Sequence, residues 1–334
     1  MRRAYAAEAD KSEMRRISPV KRFFLQPYSS AVTACALLIL LFSMSTDSFL
    51  SSFNLFNLSR TVANYGFIAA AQLMVVVIGG MNLSVGSVGA LATVVSGLMM
   101  QNLGMPSYLV FILTTLTGAL CGLINGMLIT RLRLAPFVIT LAMSFVFDGI
   151  ATGISHGYSY AINEGFSAVG RGRMLGTSSL FVLFVALVLV LVVMFRFTIF
   201  GRNVLATGGN ISAARLSGIK VDRVVILCNV VSCALAAIAA MLWTSKTGTA
   251  SPTTGSDWML FSFAVCAIGG ISLAGGNFTA IGFFCGACIL TMVRNGLTMM
   301  HVDIYFEEMF IGAVILIAVS IESLRSRVAR NLTV

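Results

Sequence analysis

"IGGMNLSVG", Ile78 to Gly86, breaks a long apolar run with two glycines, an asparagine and a serine, and "IGGISLAGG", Ile268 to Gly276, repeats the pattern I-G-G-x-x-L-x-x-G. Glycine inside a helix costs about 1 kcal/mol relative to alanine, so a glycine pair marks a break or a sharp turn. Asn82 and Ser84 are placed to cap a helix that starts near Ser84. What surrounds the breaks decides what kind of protein carries them. The 334 residues are 58% hydrophobic and 10% charged, whereas soluble domains carry about 25% charged residues. That composition describes an integral membrane protein. Backbone in lipid must satisfy its own hydrogen bonds, and these apolar runs are too long for barrel strands, which leaves helices.

Ten segments of spanning size are readable: 28–46, 61–80, 84–101, 107–130, 136–155, 178–198, 222–246, 258–273, 279–299 and 303–322. With ten spans, most of the 22 lysines and arginines fall on one side. These are the N-terminal group (Arg2 to Arg22), Arg131 and Arg133, then Arg196, Arg202, Arg215, Lys220 and Arg223, then Arg325, Arg327 and Arg330. The positive-inside rule makes that side cytoplasmic, with both termini there. The expected fold is thus an all-α polytopic membrane protein. It has a basic cytoplasmic segment 1–27, a transmembrane domain 28–322 with an internal loop at about 199–222, and a cytoplasmic tail 323–334. No cleavage site follows an apolar run, so the first span reads as an uncleaved anchor. The second motif copy lies six spans after the first, and an even number makes the two cross in the same direction. That is the signature of a two-half internal repeat. The helix-break glycines Gly79, Gly80, Gly269 and Gly270 then have two readings. They are broken helices facing a translocation path, or tight turns near the cytoplasmic surface.

Several chemistries are excluded. The seven cysteines all lie in apolar segments, and Cys285-x-x-Cys288 has no histidine or second CxxC beside it, so they read as packing residues, not metal ligands. His301 with Asp303 reads as surface. No G-x-x-x-x-G-K-[ST] loop occurs, and "SKT" at 245–247 lacks the glycines that cradle phosphate. The net charge of +10 is a topology signal, not a nucleic-acid footprint. In the internal loop, Asn210 or Ser212 can cap a short helix through "ISAARL", and Gly218 can end it. Its small residues Ala213, Ala214 and Ser217 suit a groove on a partner. Asp148 stands out as an acid inside a span. Counting 1.5 Å per residue from the inner ends puts Asp148 at about 21 Å and Arg294 at about 24 Å, which predicts an ion pair between them.

The longer stretches resemble a known family. "VVVIGGMNLSVGSVGAL" (75–91), "GRNVLATGGNISAARLSGIKVDR" (201–223), "GTASPTTGSDWMLFSFAVCAIGGISLAGG" (248–276) and "NGLTMM" (295–300) are similar, in order and spacing, to bacterial ABC importer permeases of the ribose/xylose/arabinose type. The resemblance implies a multi-pass permease subunit in the bacterial inner membrane, paired with a second permease chain, identical or paralogous. It implies ABC ATPase subunits on the cytoplasmic face, which would hold ATP and Mg, and a periplasmic sugar-binding protein; the chain itself would need no cofactor and no metal. It assigns ATPase coupling to Gly208, Gly209, Asn210, Ala213, Ala214, Arg215 and Gly218. The translocation path would take Asn82, Ser84, Asp148, Ser272, Asn277, Arg294 and Asn295. The chain departs from the family where relatives usually have acids, at Asn82, Met259 and Phe261. It also departs at Asp148, often arginine, at Arg294, often small and polar, and at Glu307 and Glu308, commonly uncharged. The other reading is a secondary transporter or channel working alone, which usually shows a chain of intramembrane acids or histidines.

Overall fold

The computed structural model describes residues 28–303 apart from 47 and 175, together with 306, 309–313, 316 and 320. The expected segment 1–27, the tail 323–334 and most of the tenth span, with Glu307 and Glu308, lie outside the described residues. The helices are α1 (Ser29–Ser45), α2 (Ser52–Val76), α3 (Val85–Gln101), α4 (Ser107–Leu132), α5 (Pro136–Ser155) and α6 (Glu164–Arg171). They continue as α7 (Ser179–Phe197), α8 (Ile199–Gly209), α9 (Ile211–Leu216), α10 (Val221–Thr247), α11 (Trp258–Ile268) and α12 (Ala280–Met299). Helices α4, α5, α7, α10 and α12 are long and apolar enough to cross a membrane, and α1, α3 and α11 are apolar but shorter. The 11 residues of α11 reach only about 16 Å, half of a bilayer core. The expected span 258–273 is therefore a half-helix followed by a turn.

The expected span 61–80 changes character most. Helix α2 starts nine residues earlier, at Ser52, and every residue from Val62 to Val76 is buried. Helices α7, α10, α11 and α12 surround it. A helix buried all round is the axis of a bundle, not a lipid-facing wall. Its sequence looks the same in either role, because lipid and protein interior are both apolar. Against α4, helix α10 approaches along a glycine stripe at four-residue spacing, Gly118, Gly122 and Gly126. A Cβ at Gly118 would stand 2.5 Å from Cys233 O, and one at Gly126 2.7 Å from Ile226 Cα. Small residues let helix backbones touch where no hydrophobic effect drives them together.

The two ends of the bundle differ. Arg131 lies in the last turn of α4 and Arg133 follows it, Arg196 lies in the last turn of α7, and Arg202 and Arg215 lie on α8 and α9; together with Lys220 and Arg223 they make a basic end. At the far end residues 156–174 fold over the end of α10. Strand β1 (Tyr160–Ala161) anticipates a later partner, β2 (Arg173–Met174) pairs with β3 (Thr177–Ser178), and β1 pairs antiparallel with β4 (Thr249–Ala250). Ser245 Oγ accepts from Gly170 N (2.7 Å) and donates to Phe166 O (2.6 Å), which ties α6 to α10.

Candidate functional site

Both glycine breaks are Schellman turns. At the end of α2, Gly80 N donates to Val75 O (3.0 Å) and Gly79 N to Val76 O (2.8 Å), with Gly79 at φ +75. At the end of α11, Ile271 N donates to Cys266 O (3.1 Å) and Gly270 N to Ala267 O (3.1 Å), with Gly270 at φ +70. One glycine of each pair supplies the left-handed residue that this turn needs. The turn is shifted by one residue between the copies, so it is the first glycine in one and the second in the other. The remaining two supply space: a Cβ at Gly269 would stand 2.7 Å from Gly282 O, and one at Gly80 2.9 Å from a Val75 methyl.

The turns also meet each other. Gly276 N donates to Val77 O (2.9 Å), and a Cβ at Gly79 would lie 2.9 Å from Ala274 O. Helix α8 closes over both, because a Cβ at Gly208 would overlap Val77 O and stand 2.6 Å from Gly276 N. Ser272 N donates to Asn277 Oδ1 (2.7 Å) and so braces the second turn. Three stretches singled out in the sequence thus converge at one backbone node at the basic end.

Beyond the first turn lies a buried polar knot. Asn82 and Ser84 are both fully buried. Asn82 Oδ1 accepts from Ser84 N (3.0 Å) and Ser84 Oγ (2.7 Å), and its Nδ2 donates to Ser232 Oγ (3.0 Å) on α10. Asn125 Nδ2, from the glycine stripe of α4, donates to Ser84 Oγ (2.8 Å). Thr140 Oγ1 on α5 accepts from Leu83 N (3.1 Å). The expected capping of α3 does not occur: Ser84 sits at the N-cap without a side-chain cap bond, because Asn82 and Asn125 occupy its hydroxyl. Ser84→Ala removes two bonds and strands Asn125 in the interior. It is expected to cost about 1–3 kcal/mol, read as a lower thermal unfolding midpoint of the purified chain. An unchanged midpoint would show that the knot does not hold the break.

The knot separates cavities. At the basic end a cavity of about 530 Å³ is lined by Gly79, Gly80, Arg133, Arg215 and Asn229. At the far end a cavity of about 320 Å³ is lined by Leu83, Gly86, Ser87, Ser144, Asp148 and Thr152. The nine residues 78–86 therefore run from one cavity to the other, with Asn82 and Ser84 closed between them. A neighbouring far-end cavity of about 410 Å³ includes Trp243, Asp257, Trp258 and Arg294, and shares the 253–256 wall with the first. Gly86 and Gly255 allow that wall to come close, since a Cβ at Gly255 would lie 2.5 Å from Gly86 O.

The expected Asp148–Arg294 pair is not formed. Arg294 Nη1 lies 3.1 Å from Asp257 Oδ2 and also meets the Tyr65 hydroxyl, while Asp148 makes no ion pair among the described residues. The cavities that Asp148 and Arg294 line share a wall, but α5 packs on α3 and α4 whereas α12 packs on α1, α2 and α11. Phe261 stacks on Tyr65 at 3.9 Å beside this pair. Asn295 exchanges both amide bonds with Asn54 (3.1 and 2.9 Å), joining α12 to the start of α2. The predicted path residues thus fall in three places: the node, the knot and the far end. Of the aromatics, Phe147 and Phe283 are buried, Phe145 and Phe306 are exposed, and Phe284 stacks on Phe184; Tyr305 lies outside the described residues.

The internal loop is helical, as α8 and α9. Asn210 Oδ1 accepts from Ala213 N (2.9 Å), which is the expected cap, and Gly218 turns the chain at φ +82. Ala214 is buried against its own chain, so it is not part of a face for a partner. Leu216 is: its side chain is 91% exposed at the tip of α9. Sequence reading passed over Leu216, and over Asn125, Ser232, Trp243 and Asp257. The signal for Asn125 was the glycine stripe "GALCGLING" (118–126), which brings its helix close enough to reach the knot.

Comparison with known proteins bears on what this geometry serves. A family model described as "Branched-chain amino acid transport system / permease component" matches residues 54–319. The chain is similar to Ribose import permease protein RbsC of Bacillus subtilis (strain 168), 37% identical over 87% of this chain and 91% of that protein. It is similar to Fructose import permease protein FrcC of Rhizobium meliloti, 32% identical over 92% and 88%. To Xylose transport system permease protein XylH of Escherichia coli (strain K12) it is 31% identical over 89% and 91%. No solved structure matches the chain significantly.

Proposed function

From the premise that this chain belongs to the branched-chain amino acid transport system / permease component family, we propose how it works as one part of an import machine. It is the permease subunit of a binding-protein-dependent sugar importer. The solute is a monosaccharide or similar small polyol. It arrives from a periplasmic sugar-binding protein at the far end and leaves at the basic end, the cytoplasmic face of a bacterial inner membrane. A second permease chain, identical or paralogous, completes the membrane unit. Each chain crosses ten times with both termini inside, and the two Schellman breaks mark the two halves. ATP is hydrolysed on separate ABC ATPase subunits, which contact α9.

One observation carries this reading. Helix α9 is joined to α8 at Asn210, and Gly208 of α8 lies against both breaks at once. A displacement of α9 by an ATPase therefore reaches the ends of α2 and α11 through backbone contacts. The end of α2 leads directly into the knot that closes the basic-end cavity from the far-end one. The loop's exposed Arg202, Lys220 and Arg223 suit acids on such a subunit, while Arg215 already meets Asp222 at 3.4 Å.

Affinity purification of the tagged chain from its native membrane tests the scheme. An ABC ATPase and a permease partner are expected in fixed stoichiometry, with sugar-dependent ATP hydrolysis in vesicles once the binding protein is added. Uptake by the chain alone, with no ATPase present, would instead make it a stand-alone secondary transporter or channel.

A further inference from the structure

The far-end cavity of about 410 Å³ has a lining unlike the rest of this apolar chain. Trp243 and Thr247 come from α10, Trp258 from the start of α11, Arg294 from α12, and the rest from the 249–257 stretch. Hydroxyl side chains dominate that stretch, among them Ser251, Thr253 and Ser256. Asp257 and Arg294 are each about one-third exposed, at 37% and 33%, so both are held and both remain reachable. They are held by rings. The Tyr65 hydroxyl donates to Asp257 Oδ2 (3.3 Å), Tyr65 stacks on Phe261, and the Arg294 guanidinium carbon lies 5.6 Å from the Tyr65 ring centre.

These groups together recognise one chemistry. A carboxylate accepts from neighbouring hydroxyls, a guanidinium donates to them in a fixed fork, and an indole takes the apolar C–H surface of a ring. The two charges offset each other, which favours a neutral solute over an ion. The volume lies within the range of about 300–1,000 Å³ typical of small-molecule pockets. Such a mixture of a few polar groups and aromatic walls is how those pockets fix orientation.

We propose that this cavity is a solute-binding subsite of the permease itself. It takes a neutral polyhydroxylated ring, with hydroxyls on Asp257 and Arg294 and the ring against Trp243. The proposal rests on the importer reading and adds to it a place where the solute pauses within this chain.

The chain's two tryptophans, Trp243 and the fully buried Trp258, both line this cavity, so intrinsic tryptophan emission reports on it. The purified chain is titrated with ribose, xylose, fructose and galactose, and with gluconate and sucrose. At least one of the four neutral monosaccharides is expected to change the emission saturably and to protect the tryptophans from acrylamide. Gluconate and sucrose are expected to give only a small linear drift. Asp257→Asn, which keeps the shape of the side chain, is expected to weaken the saturable response about tenfold. Linear drift for all six solutes, or saturation by gluconate alone, would overturn the proposal. The acrylamide measurement on the unaltered chain stands even if the variant fails to fold. Neither measurement needs an ATPase, so failure here leaves the co-purification result intact, whereas a saturable response from a chain with which no ATPase co-purifies would sink the importer scheme and leave the subsite standing.

Discussion

Gly208→Ala is expected to abolish uptake, while Gly209→Ala, one residue on, is expected to leave uptake near its original level. The sequence presents these glycines as equivalent, side by side at the end of α8. The packing does not. A Cβ at Gly208 would overlap Val77 O and crowd Gly276 N, and both atoms belong to backbone that cannot rotate aside. They are also the two partners of the 2.9 Å bond that joins the breaks. Overpacking of this kind costs about 3 kcal/mol, and here the strain falls on the node through which α8 acts. A Cβ at Gly209 meets nothing within 4 Å among the described residues, and alanine there improves helix propensity by up to about 1 kcal/mol. The comparison is read as sugar uptake in cells lacking the native gene, with the amount of chain in the membrane measured alongside. Equal uptake by the two variants would mean that the node is not a transmitting contact.

What the sequence disclosed and what it hid divide along a physical line. Local chemistry was legible. A glycine pair after an apolar run announces a break or a sharp turn, and Asn210 or Ser212 beside "ISAARL" announces a cap, because both depend on a few consecutive residues. Which glycine takes the positive φ was not legible, since it depends on where the preceding helix stops, and the two copies differ by one residue. That Asp148 and Arg294 line adjoining cavities agrees with counting rise per residue along their helices. Lateral neighbours were not legible: α12 turns Arg294 toward Asp257 and Tyr65, and nothing in residue counting places helices side by side. The six residues of α9 are too few for periodicity to separate its buried face, Ala214, from its exposed one. The burial of helix α2, expected only as the span 61–80, was not legible, because burial by lipid and burial by protein select the same side chains.

Leu216→Asp is expected to cut uptake by about tenfold or more and to remove sugar-stimulated ATP hydrolysis, with the chain still inserted in normal amount. A leucine 91% exposed beyond the basic end of a bundle gains nothing for the folded chain. Buried against a partner it contributes about 1.5–3 kcal/mol, or roughly 10- to 150-fold in affinity. An aspartate would lose that term and add a charge that the interface must desolvate. The neighbouring Arg215–Asp222 pair, at 3.4 Å and with both side chains mostly exposed, cannot make up the difference, because such surface pairs contribute about 0–1 kcal/mol. Ala214→Glu separates docking from folding. Ala214 is buried within its own chain, so a glutamate there is expected to lower the amount of inserted protein, whereas Leu216→Asp leaves it unchanged. Ala213→Glu, on the exposed side of the same turn, is expected to behave like Leu216→Asp. Normal sugar-stimulated hydrolysis by Leu216→Asp in reconstituted vesicles would place the ATPase contact elsewhere, and the link from α9 through Gly208 to the two breaks would lose its input.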